Sequence, residues 1–205
     1  MSAVGEILET RFTRMATTES RTRSSERDPS TWSICRRRRS ASISSGTIRP
    51  DARFLRRLAS FSRLITFDRR GAGASDAAAD GLAAWESWAD DAGAVLDTVG
   101  SERAALLGQS DGGPTAVLFA ATRPERTRAL ILFNSSARFL KDDDYPFGLD
   151  QGDADATQQF LIDAWGTTAM AGLTPQLSGD PEYVRYLTKS QRLTKRPRDA
   201  AAYFH

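Results

Sequence analysis

The chain is short of the residues that move protons and electrons. Its 205 residues include one histidine, His205, and one cysteine, Cys35. A lone cysteine excludes an internal disulfide and fits a reducing compartment. No apolar run approaches the roughly 18 residues that a membrane span needs. The opening stretch MSAVGEILETRF has no basic head followed by an apolar run, so no secretory signal is expected. Together these predict a cytoplasmic protein without a membrane partner. The formal net charge of +2 favours no particular partner. Hydrophobic residues at 40% and aromatics at 9% are ordinary for a globular protein. The length suits one core.

The chain changes character near Pro50. Residues 20–49 are rich in Arg and Ser, poor in aliphatics, and follow no period of 2 or 3.6. Such a segment buries too little apolar surface to offset its ordering entropy. Residues 1–50 are therefore expected to be disordered. From Asp51 onward the pattern is that of a folded α/β protein. Arg53 to Phe61 reads as a short amphipathic helix, and Arg63 to Phe67 as a buried strand. Leu82, Trp85, Trp88, Ala89, Ala92, Val95, Leu96 and Val99 keep helical spacing, with Gly100 at the C-cap. Ala104 to Leu107 is a second strand, Pro114 to Ala121 a helix, and Ala129 to Phe133 a third strand. This alternation predicts a parallel sheet with crossover helices over 51–141. It stops after Asp142, Asp143 and Asp144. Residues 142–205 carry two helical stretches, Phe160 to Trp165 and Tyr183 to Leu193.

One stretch carries chemistry: RAALLGQSDGGP, Arg103 to Pro114. A G-x-S-x-G pattern after a buried strand and before a helix is the sequence form of a nucleophile elbow. Gly108, Gly112 and Gly113 would give the sharp turn its room. Ser110 takes the nucleophile position, and the backbone N–H of Asp111 would donate to an oxyanion.

FDRRGAGASD (Phe67 to Asp76), GQSDGG (Gly108 to Gly113) and RPERTRALIL (Arg123 to Leu132) resemble the α/β-hydrolase superfamily. The longer stretch from Trp85 to Asn134, with LIDAWGT, resembles the hydrolase-like domain that precedes class III adenylate/guanylate cyclase domains in some bacterial proteins. The match runs from about Asp51 to the C-terminus. It implies a partial α/β-hydrolase fold, with an incomplete parallel sheet and the start of a helical cap over 142–205. It also implies a small acyl substrate, no cofactor, no metal, and a structural turn at Asp68, Arg70, Gly71 and Gly73.

A serine hydroxyl is a poor nucleophile until a histidine, oriented by a carboxylate, takes its proton. In this fold acid and histidine follow the serine on later loops. Here His205 follows a helix-like DAAAYF stretch and reads as an exposed residue rather than a base. Asp142 to Asp144 read as a solvated loop, and Asp111 as a structural or pocket-lining residue rather than the triad acid. The chain is thus expected to be catalytically incompetent. The alternative is a ligand-binding or regulatory module derived from a hydrolase–adenylate cyclase fusion, with Phe139, Tyr145, Phe147, Phe160 and Trp165 either lining a pocket or in the core. The run Arg36 to Arg39 lacks an aromatic platform or motif, so no specific nucleic-acid partner is expected. The sequence leaves the oligomeric state open.

The Arg/Ser-rich front stands where the resemblance calls for the first strands and the loop with the second oxyanion donor. A frameshift accounts for this. Read one base back, codons permitted for Thr31 to Arg49 can spell an apolar strand, a proline loop and Trp-Asp-His-Pro. Sequencing the gene checks it: the shifted frame is expected to spell that strand, and codons that cannot do so exclude the frameshift.

Overall fold

The computed structural model describes residues 9–15, 18–24, 31–36, 50–70, 75, 84–194 and 197; at 9–15, 18–24, 31–36, 50–52 and 194 it describes the backbone alone. Three strands open the chain: β1 (Glu9–Met15), β2 (Thr18–Ser24) and β3 (Thr31–Arg36). The expected disorder over 1–50 is corrected for these stretches. Pairing draws on backbone N–H and C=O groups that every residue here carries except proline. Strand preference depends on neighbours more than on intrinsic bias.

The next elements follow the apolar pattern. Helix α1 (Pro50–Ala59) stops two residues short of Phe61, which is left in a turn. Strand β4 (Arg63–Phe67) leads through the turn at Asp68 toward helix α2 (Trp85–Thr98). Leu82, expected in that helix, lies outside the described residues. Helix α2 buries Trp88, Ala89, Ala92, Val95 and Leu96 on one stripe. Gly100 closes it at φ +65, where its N–H reaches the Asp97 carbonyl and the Ser101 N–H reaches that of Leu96. Glycine adopts this left-handed conformation without the Cβ penalty. Strand β5 (Ala104–Gln109), helix α3 (Gly113–Thr122) and strand β6 (Thr127–Phe133) complete the alternation.

All six strands join one sheet in the order β1-β2-β4-β3-β5-β6. β1–β2 and β2–β4 are antiparallel; β4–β3, β3–β5 and β5–β6 are parallel. The three parallel strands read from the sequence are therefore half of the strands among the described residues. β3 enters between β4 and β5, which the chain order alone does not reveal.

Helices cover both faces. Ile65, Phe67, Ala104 and Leu106 pack with the buried stripe of α2 and with Ala116 and Phe119 of α3. On the other face Leu64 and Leu107 meet Leu55, Leu58 and Ala59 of α1. Past the sheet, α4 (Gln151–Ala164) and α5 (Pro181–Thr194) bracket a 3-10 segment, Thr168–Leu173. Asp150 caps α4 by accepting from the Asp153 N–H at 2.9 Å. Leu161, Ala164, Met170, Ala171 and Leu187 form a small core of their own, with Trp165 and Tyr183 packed against it. No described helix is long and apolar enough to cross a membrane.

Leu96 is fully buried between α2 and the sheet. Leu96→Ala is expected to lower stability by about 2–5 kcal/mol, read from urea unfolding at unchanged m-value.

Candidate active site

β3 and β5 are neighbours, yet the chain leaves them in opposite directions. From β3 it crosses through α1 to β4; from β5 it crosses through α3 to β6. Where successive crossovers part in this way, a crevice opens at the carboxyl ends of the strands. Ser110 sits there, one residue beyond β5.

Ser110 begins a 3-10 turn, Ser110–Gly112, that runs directly into α3. Its φ is +54. A non-glycine residue in this region costs on the order of 1–3 kcal/mol and persists only when its surroundings enforce it. Here they do. A Cβ at Gly108 would stand 2.7 Å from Gly113 Cα and 3.0 Å from Ala116 Cβ. A Cβ at Gly113 would overlap the Ser135 hydroxyl and lie 2.5 Å from Ser135 Cβ. Gly112 is buried at φ −81 and ψ −15. The two backbones thus approach closer than side chains at Gly108 or Gly113 would permit.

Ser135, just past β6, donates its hydroxyl to the Ser110 carbonyl at 2.7 Å. That carbonyl and the Asp111 N–H belong to one trans peptide, so they point in opposite directions. Holding the carbonyl therefore aims the N–H away from Ser135. Sequence reasoning missed Ser135, since nothing near it in the chain marks its contact 25 residues away.

The Asp111 side chain is buried and engaged. Its Oδ2 lies 2.6 Å from Arg69 Nη2, and Arg69 Nη1 donates to the Asp111 carbonyl at 3.2 Å. Arg69 is itself 1% exposed, and its guanidinium stacks 4.3 Å from the Trp88 ring centroid. The Asp111 carboxylate is thus paired with Arg69 inside the fold. Arg69 was also missed, because only folding brings it to the elbow. Its neighbour Arg70 turns to α2 and grips Asp91 with two nitrogens, Nε at 2.9 Å from Oδ2. The Asp91 hydrogen bonds raise the Arg70 pKa above its ordinary value, against the opposing effect of burial. Asp68 is buried, and its carbonyl accepts from the Ser75 hydroxyl at 2.6 Å. Gly71 and Gly73 lie outside the described residues.

His205 and residues 37–49 lie outside the described residues. Asp142 and Asp144 both pair with Arg138 on an exposed turn. Of the cap aromatics, Phe147 is exposed with its ring edge-on to Tyr145, Phe160 is also exposed, and Trp165 donates to the Gln191 carbonyl at 3.1 Å. Among the described residues no three His, Cys, Asp or Glu side chains are placed to hold a metal.

Comparison with known proteins agrees with this architecture. The family model for the alpha/beta hydrolase fold matches residues 52–196. The 2-hydroxymuconate semialdehyde hydrolase of Pseudomonas sp. (strain CF600) is 40% identical over 79 residues, 38% of this chain and 28% of that protein. The counterpart from Pseudomonas putida is 38% identical over 73 residues, 36% of this chain and 26% of that one. The matches thus span under a third of these relatives' length. Among solved structures, the esterase RhEst1 from Rhodococcus sp. ECU1013 superposes with a TM-score of 0.73 at 24% identity, over 97% of this chain and 72% of that one. The esterase EaEST from Exiguobacterium antarcticum gives 0.71 at 20% identity, over 94% and 71%.

Gly113→Ala is expected to destabilise the fold by about 3 kcal/mol, at the upper end for overpacking. The double variant with Ser135→Gly is expected to recover part of that loss, since it removes the colliding atoms. Urea melts of the four proteins in this cycle measure the coupling.

Proposed function

This chain belongs to the alpha/beta hydrolase fold family, and we propose that Ser110 stands at the nucleophile position of a serine-hydrolase site that this chain leaves without its proton acceptor. The observation that carries the reading is Ser110 at φ +54 on the turn between β5 and α3, at the carboxyl end of a strand that neighbours β3. That turn sets Ser110 between the carboxyl end of β5 and the N-terminus of α3. The chemistry it suits is attack on a small ester or related acyl carbon. The Asp111 N–H would receive the negative charge that develops on the carbonyl oxygen.

The reaction then needs the Ser110 proton removed. Asp111 is tied to Arg69, and the chain's one histidine is His205. Without a base the hydroxyl stays protonated and weakly nucleophilic. Loss of a triad costs about 10⁶ in kcat where it has been dissected. We therefore read the chain as a hydrolase-family protein without independent turnover, cytoplasmic, with a small molecule as its partner. A second reading is a ligand-binding module derived from a hydrolase–adenylate cyclase fusion.

A fluorophosphonate probe and a p-nitrophenyl ester test the first reading. The protein and its Ser110→Ala variant are expected to give the same background in both assays. Labelling or hydrolysis by the unmodified chain that disappears in Ser110→Ala would show that a working base is present.

A further inference from the structure

Two consecutive peptide carbonyls at the elbow are held by side chains from elsewhere in the chain. Ser135 takes the Ser110 carbonyl at 2.7 Å, and Arg69 Nη1 takes that of Asp111 at 3.2 Å. Arg69 also meets the Asp111 carboxylate, Nη2 to Oδ2 at 2.6 Å. The two side chains are 0% and 3% exposed, so water screens their charges little. Trp88 stacks 4.3 Å from the guanidinium and covers one of its faces. The charge matters because of where Asp111 stands. Its backbone N–H is the donor assigned above to the negative charge that develops beside Ser110. A carboxylate on the same residue opposes that charge, and the repulsion is strong where water is excluded.

We propose that Arg69 is a positioning residue for anion stabilisation at Ser110. It neutralises the Asp111 carboxylate and fixes the Asp111 carbonyl. The Asp111 N–H can then take a tetrahedral anion without repulsion from its own side chain. The proposal rests on the reading of Ser110 and deepens it. The ligand class is one that becomes tetrahedral and anionic on bonding to the hydroxyl. Arg70 does not share this role, because its charge is paired with Asp91 on α2. Asp68 and Asp91 are the other buried carboxylates next to these arginines. Both stay intact in every variant below, so their effects cancel.

Phenylboronic acid tests this without a base from the protein. The bond between Ser110 Oγ and boron forms, boron becomes four-coordinate and negative, and the hydroxyl proton passes to the buffer. The full chain is titrated with pH in its presence, and bound tetrahedral boron is read by boron-11 resonance. The unmodified chain is expected to give this signal and Ser110→Ala to lack it. Arg69→Met leaves the carboxylate uncompensated, so the pH midpoint of adduct formation is expected to rise by about one unit. Adding Asp111→Asn removes the carboxylate and is expected to reverse most of that rise. Asp111→Asn alone leaves the cation unbalanced, and its midpoint is expected below that of the unmodified chain. That variant decides the outcome if Arg69→Met does not fold. A merely structural role would change the amount of adduct and leave its midpoint in place. No Ser110-dependent adduct in the unmodified chain would overturn the reading of Ser110 and this proposal with it. Equal midpoints in the unmodified chain and the folded variants would overturn the proposal alone.

Discussion

The close approach of α3 to β5 governs this molecule. Gly108 and Gly113 lie so near each other that neither tolerates a Cβ without displacing backbone or Ser135. With the two backbones in contact, the residue between them must turn abruptly, and Ser110 takes φ +54 to do so. The strain is held by what packs around it: Thr115, Ala116 and Phe119 bury the first turns of α3 against the sheet. Widening the contact would relax Ser110, release its carbonyl from Ser135 and turn the Asp111 N–H. Geometry at the site and packing in the core are therefore one constraint.

Consecutive arginines extend that constraint outward. Arg69 and Arg70 follow β4 and reach in different directions, one to the elbow at Asp111 and the other to Asp91 on α2. A buried ion pair is weak evidence for net stability, since desolvation offsets much of the attraction. Its clearer effect here is orientation. Arg69 holds both the side chain and the carbonyl of Asp111, and Trp88 beneath it fixes the guanidinium plane. The turn after β4, helix α2 and the elbow are thereby bound to one another around the crevice.

The sheet is asymmetric about that crevice. On one side β3, β4, β2 and β1 continue it. On the other side β6 stands alone with apolar residues on both faces. The exposed apolar strand thus lies on the far side of β5 from β3. The Exiguobacterium and Rhodococcus esterases are covered by this chain to 71% and 72% of their length.

Much of this was legible in local spacing. The period of α2, the apolar runs of β4, β5 and β6, the glycine after α2 and the strand–Gly-x-Ser–helix order all follow from which side chains can share a face and which turn needs room. Sequence alone thus determined the α/β class, the family resemblance and the strand–turn–helix order around Ser110. Only the tertiary structure decided that Thr31–Arg36 forms a strand between β4 and β5, that Ser135 holds the Ser110 carbonyl, and that Arg69 clamps Asp111. The reason is physical. Periodicity records contacts within a few residues along the chain, whereas these partners lie 25 and 42 residues apart, and β3's pairing depends on backbone groups that its composition does not reveal.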